Sequence, residues 1–187
     1  MKRALPALIL VLITLSLLQA AELTARQKAL LSGARSNLGY AYDSGYYAGG
    51  PPPRGHGACT DVLYYALKKV NVDLQDEIAR DIARSPSRYP SRRDRNIDYR
   101  WCPNLFVWFQ RYARSLPVSV NGKALAGWKP GDIVFWSLLR DGVADHCGII
   151  SDSRNSRDVP LVIHNFPPEC TEDEVLERWV IMGHFRL

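Results

Sequence analysis

The residues best suited to chemistry begin at Cys59, which closes a glycine-rich approach, Arg54-Gly-His-Gly-Ala-Cys59, and opens an apolar-periodic stretch. Val62, Leu63, Ala66 and Val70 recur at the spacing of one helix face, which predicts a helix from about Cys59 to Val70. Gly55 and Gly57 free the backbone to turn sharply just before it. A cysteine in the first turn of a helix sits at the positive end of the dipole, among unpaired N–H groups that stabilise a thiolate. A lone cysteine also serves as a small buried hydrophobe, and what separates the two readings lies further along the chain.

That second feature is a pair of short apolar runs, His146-Cys-Gly-Ile-Ile150 and Leu161-Val-Ile-His164. Strand alternation puts His146, Gly148 and Ile150 on one face, with Cys147 and Ile149 on the other. Gly148 beside His146 leaves room on that face for something bulky, such as a helix start. If the two runs pair as neighbouring strands, His146 comes near His164 or Asn165, and a one-residue slip in register swaps them. An imidazole could take the proton from Cys59 while a polar neighbour holds its ring in the working tautomer. That is a nucleophile, a base and an orienting group.

The elements that must position these residues follow from the rest of the pattern. Thr24 and Gln27 form a capping box for a first helix, with Leu23, Leu30, Leu31 and Leu38 as apolar positions and Gly39 as its stop. Residues 40 to 53 form an aromatic-rich loop, from which Tyr42 is the first choice to line a pocket mouth. Leu74, Ile78 and Ile82 mark another helix. Pro103 opens a fourth, whose apolar face carries Leu105, Trp108, Phe109 and Tyr112. Strands are expected at Ile133 to Trp136, at the two histidine runs and over Trp179 to Leu187. Helices first and an antiparallel sheet after them indicate an α+β domain.

The bulk properties narrow the classes. The chain has 187 residues and a net charge of +5. Residues 1–21 carry Lys2 and Arg3, an apolar run from Leu5 to Leu18 and a small-residue end, the pattern of a secretory signal peptide. Residues 22–187 are then one exported domain, expected in a bacterial periplasm, with no stable membrane insertion after cleavage. Six arginines fall between Arg84 and Arg100, but Asp94 and Asp98 interleave with them and no aromatic stacking platform accompanies them. This segment reads as a solvated loop with local ion pairs, and no nucleic-acid partner is expected. Cys59, Cys102, Cys147 and Cys170 show no framework spacing. With Cys59 as nucleophile, at most one bridge joins the other three. A metal site would draw on His56, Cys59, His146, Cys147 or His164, but alternation turns Cys147 away from His146. Neither a metal nor another cofactor is expected, and His184 reads as structural.

These residues carry a resemblance. Gly-x-Cys at a helix start, Gly131-Asp-Ile-Val-Phe, His146-x-Gly-Ile and Ile163-His164 resemble the NlpC-type papain-like cysteine peptidases of bacterial cell walls. Further stretches resemble a bacterial family catalogued as domain of unknown function 1287. They are Gly57-Ala-Cys-Thr-Asp-Val62, Asp73-Leu-Gln75, Asn96-Ile-Asp98 with Pro103-Asn-Leu105, Trp128-x-Pro-Gly-Asp132, Ile163-His-Asn165 and Gly183-His-Phe-Arg186. The resemblance implies an NlpC-like fold, a helix bearing the cysteine packed on a sheet bearing the histidine. By position Cys59 matches the nucleophile, His146 the base and His164 the third polar residue, with Asn165, Tyr42 and Asp61 as possible supports. Ala58 stands where those peptidases carry an acidic residue, and Tyr42 or Tyr46 approximates their upstream tyrosine. Asp61 lies ~200° round the helix from Cys59, which suits a helix-start charge better than a catalytic partner. The activity implied is hydrolysis of amide bonds, with cell-wall peptides as substrate. The competing reading is a binding module on the same fold with an inert cysteine.

Overall fold

The computed structural model describes residues 22–187 apart from Ser91 and Arg93. The expected signal peptide lies outside the described residues. Helix α1 spans Ala25–Arg35 and carries the expected capping box at Thr24. It ends at Ser36 rather than at Gly39, and the chain turns away through Gly39 at φ +78°. Leu38 therefore falls beyond the helix and is exposed, not a core position. Helix α2, Cys59–Lys68, lies against α1 at Gly33, where a Cβ would stand 2.6 Å from the Ala66 Cα. Only glycine permits that approach. Val62, Leu63, Ala66 and Leu67 of α2 are fully buried. Helices α3, Leu74–Arg84, and α4, Cys102–Tyr112, follow, the first capped by Asp73 and the second with Pro103 in its opening turn.

Eight strands among the described residues form one sheet. They are β1 (Ala41–Tyr42), β2 (His56–Gly57), β3 (Arg114–Ser115), β4 (Ile133–Ser137), β5 (His146–Arg154), β6 (Pro160–Phe166), β7 (Glu169–Asp173) and β8 (Val180–Arg186). Their order is β2-β1-β7-β6-β5-β4-β8-β3. The four expected strands are present. Strand β7 is too polar to stand out in the sequence, and β1 and β2 are two-residue pieces that pair in parallel at one edge. The architecture is α+β, with the helices packed on a sheet that is antiparallel except at that edge.

The sheet buries both faces. Ile133, Phe135, Cys147, Ile149 and Ile163 pack with the helices. Val134, Trp136, Ile150 and Val162 pack on the other side against Trp128, Val175 and Leu176, which come from connecting segments. This corrects the expectation for Gly148. It faces the second core, where a Cβ would meet Val162 Cγ1 at 2.6 Å and His164 Cβ at 3.2 Å. Helix α2 packs on the opposite face, the one Cys147 occupies.

Two buried ion-pair knots tie the layers together. Asp132 accepts hydrogen bonds from Arg186 (2.6 and 2.7 Å) and pairs with His184 Nε2 at 2.7 Å. The His184 ring stacks on Trp128 with centroids 3.7 Å apart. The second knot corrects the reading of the arginine-rich segment. Arg95 does form an exposed pair with Asp76, but Arg100 is buried against Asp61 at 2.9 Å, both side chains 1% exposed. No helix among the described residues is long and apolar enough to cross a membrane.

Candidate active site

Cys59 occupies the first position of α2, where its N–H has no intrahelical acceptor. The turn before it is held from two sides. Asp61 Oδ2 accepts the Ala58 N–H at 2.7 Å, the reciprocal half of a capping box, while alanine offers no side-chain cap of its own. The same carboxylate binds the Arg100 guanidinium, which donates onward to the carbonyls of Asp43 and Gly45. Burial raises the Asp61 pKa, and Arg100 opposes it. Asp61 thus positions the helix start, as its place on the helix implied. From the sheet, Asn165 Nδ2 donates to the Gly57 carbonyl at 2.8 Å and to that of Tyr40 at 3.2 Å. Asn165 braces the loop from the helix side and does not orient His146.

The register of β5 and β6 selects His164. Ile149 pairs with Ile163 and Ile150 with Val162, which places both histidines on one face, and His146 Nε2 lies 2.8 Å from His164 Nδ1. Both rings are 2% exposed, among Trp136, Phe166 and Trp179. Burial, with the adjacent His146, lowers the His164 pKa to about 4. Its Nε2 has no hydrogen-bond partner, and Asp173 Oδ2 stands 3.9 Å away.

The Cys59 pKa is held well below the usual thiol range. The largest causes are hydrogen bonds with Cys102 and Cys147, and the charge and a hydrogen bond of His146 add to them against burial. Cys102 and Cys147 are pushed well up, chiefly by burial. The sulfurs of Cys59, Cys102 and Cys147 all lie within 4.8 Å of one another. Sequence reasoning missed this cluster, since it expected the helix on the Gly148 face, away from Cys147, and no local period brings Cys102 there. Cys170 stands apart, and all four cysteines are free. His56 is exposed beside Asp43, away from the three sulfurs.

A cavity of about 660 Å³ opens onto Cys59 and Cys102. Tyr42, Tyr46 and Trp101, all partly exposed, line it together with Val143, Arg100, Asp94 and Asp145. Tyr42 therefore stands where it was expected, and burial followed by the Cys59 charge raises its pKa. Tyr46 donates to Asp94 at 2.7 Å. His184, bonded to Asp132 and near the Pro117 carbonyl (2.9 Å), belongs to the structural knot and not to this cavity.

The helix bearing a cysteine, packed on a sheet bearing two paired histidines, defines an α+β protein of the NlpC-like fold. The chain spans 99% of a structure described as an N-acetylmuramoyl-L-alanine amidase from Bacteroides uniformis, with a TM-score of 0.53, 16% identity and 87% of this chain covered. It also matches NlpC1 from Trichomonas vaginalis, with a TM-score of 0.50 and 13% identity over 90% of this chain. It spans only 46% of that longer protein, and 42% of a Staphylococcus aureus protein described as similar to an NLP/P60-family lipoprotein. More narrowly, the chain belongs to the family described as domain of unknown function DUF1287, whose model matches residues 29–187. The uncharacterized Escherichia coli (strain K12) protein YijF is 38% identical over 169 residues, covering 84% of this chain and 80% of YijF.

Proposed function

We propose that this chain is an exported cysteine hydrolase that cleaves amide bonds in peptidoglycan peptides, acting in the periplasm as a single domain over residues 22–187. The observation that carries the reading is geometric. His146 and His164 face each other on adjacent strands. His146, although on the sheet face opposite α2, is the first residue of β5 and still acts on the Cys59 sulfur, which opens onto a cavity large enough for a short peptide.

In this reading His146 holds the proton removed from Cys59. Its Nε2 is engaged with His164, which leaves Nδ1 for the sulfur. The charged ring must then donate its Nε2–H to His164 Nδ1, which puts the His164 hydrogen on Nε2, towards Asp173. The Cys59 thiolate attacks the carbonyl carbon, and the free N–H at the start of α2 receives the oxyanion. His146 gives its proton to the leaving amine. Water, deprotonated by His146, then hydrolyses the thioester. Ala58 puts no charge beside the nucleophile, so substrate polar groups are met by Asp94 and Asp145 across the cavity.

The test is iodoacetamide labelling of the folded protein against pH, read at each cysteine by peptide mass. Selective labelling of Cys59 well below pH 8, abolished in His146→Ala, supports the pair, and hydrolysis of cell-wall muropeptides follows as the activity assay. A Cys59 no more reactive than Cys170 would reduce the protein to a binding module on the same fold.

A further inference from the structure

The three sulfurs beneath the cavity form a constellation that the hydrolase reading does not require. Two of them, Cys59 and Cys102, each open a helix, α2 and α4, and the third, Cys147, lies in β5. Two helix N-termini therefore point at one spot, and both dipoles favour negative charge there. Cys59 and Cys102 line the cavity, while Cys147 lies fully buried beneath them. The cluster has a closed floor and one open side.

Three sulfur donors with one open side form a ligand set for a soft cation. Tetrahedral zinc bound to thiolates at ~2.3 Å places its sulfurs ~3.8 Å apart. The present arrangement, with every pair inside 4.8 Å, contracts to that spacing by small side-chain rotations. Packing alone explains one buried thiol in a core, but it gives no reason for three to converge at the floor of an open cavity. We propose that Cys59, Cys102 and Cys147 form a binding site for a soft d10 cation of the Zn2+ type.

Binding is a ligand exchange with no redox step. The Cys59 thiolate and the deprotonated sulfurs of Cys102 and Cys147 each form one bond to the metal. The two thiol protons pass to solvent, and water from the cavity fills the fourth position. The proposal leans on the hydrolase reading in one respect: a sulfur bound to zinc is not free to attack a carbonyl, so occupancy switches the nucleophile off.

The experiment uses protein purified under reducing conditions from cells producing the full chain, with its four thiols first confirmed free by mass. It is titrated with Zn2+ against a chromophoric chelator, and with Cd2+ to observe the sulfur-to-metal charge-transfer band. Iodoacetamide labelling is repeated with and without Zn2+. One metal per chain is expected, with Cys59 protected by Zn2+ and the labelling of Cys170 unchanged. Cys102→Ser and Cys147→Ser should each weaken binding at least tenfold, whereas Cys170→Ser should not. Cys102→Ala and Cys147→Ala, checked for folding by circular dichroism, separate ligand loss from misfolding. Absence of stoichiometric binding, equal affinity in the Cys102 and Cys147 variants, or a disulfide among the three sulfurs in the folded protein would overturn the site. Metal binding by a protein whose metal-free Cys59 is unreactive would keep the site and sink the hydrolase reading. A reactive Cys59 without metal binding would do the reverse.

Discussion

Two regions of this molecule bury histidines in the same sheet and bond them in opposite ways. At one, His184 is clamped between Asp132 and the Pro117 carbonyl and stacked on Trp128. Asp132 also holds Arg186, whose side chain is partly exposed, while Asp132 and His184 are buried. Burial raises the Asp132 pKa, but Arg186, His184 and the Lys129 amide together hold it below the usual carboxylate range. At the other, His146 and His164 face each other, His164 Nε2 has no partner, and the Cys59 beside them opens onto a cavity. At His184 both ring nitrogens meet fixed acceptors, whereas at His164 one ring nitrogen is left open, which is where the proposed proton transfer would draw on it.

The largest separation between the two regions is expected from His146→Ala. Loss of the base should lower amide hydrolysis by ~10²–10⁴-fold, a typical range for general acid–base groups. Truncating this buried ring also costs stability, so activity and melting curves are measured on His146→Gln as well, which fills more of the space and should lose the activity with the smaller loss of stability. A parallel loss of stability in His146→Gln would merge the two regions into one structural role.

Asp132→Ala is the converse. It strands the buried His184 beside an unpaired Arg186 and should cost ~3–5 kcal/mol in denaturant unfolding, the usual penalty for breaking a buried pair. Cys59 labelling against pH, measured on the folded fraction, should stay where it is in the native protein. A shift in that profile would show that the two knots communicate.

A third expectation concerns acid. The folded pKa of His164, about 4, lies below that of an unfolded histidine near 6.5. The neutral ring therefore favours the fold above about pH 6.5, and that contribution, ~3 kcal/mol at ~1.4 kcal/mol per pKa unit, is lost as pH falls towards 4. Burial dominates this shift. His146 and Arg178 act in the same direction, and Asp173 and Cys59 oppose it. Stability measured at pH 7 and pH 4 should therefore differ less in His164→Asn than in the native protein. An unchanged pH dependence would place the proton elsewhere.

The smallest effect is expected from Tyr42→Phe at the cavity mouth. The ring and its packing are kept, so stability should move by less than ~0.5 kcal/mol. A rise in KM at constant kcat would assign the hydroxyl to substrate binding, whereas a fall in kcat would bring it into the chemistry.

Much of this was legible in the residues. The helices at Cys59, Leu74 and Cys102, the capping box at Thr24 and the four main strands follow from periodicity and caps, which are local. The pairing of His146 with His164 followed from alternation once the two strands were neighbours, and the register then chose His164 over Asn165. Other features depended on contacts between distant segments. Arg100 reads as one more solvated arginine until the fold buries it against Asp61, 39 residues away. Gly148 looked like space for a helix and proved to be space for Val162 and His164, because α2 packs on the other face.

By itself, then, the sequence determined the α+β order of elements, the cysteine at a helix start and a histidine on each of two strands, with the partner of His146 left between His164 and Asn165. These depend on the 3.6- and two-residue periods and on end caps, which short stretches encode completely. Only the tertiary structure decided which sulfurs meet. Cys59, Cys102 and Cys147 come from two helix starts and a strand, and no local period relates them. Their convergence follows from how α2 packs against β5 and how the tertiary fold brings the start of α4 to the same place, and so do the bracing of the Cys59 turn by Arg100 and Asn165 and the cavity above it.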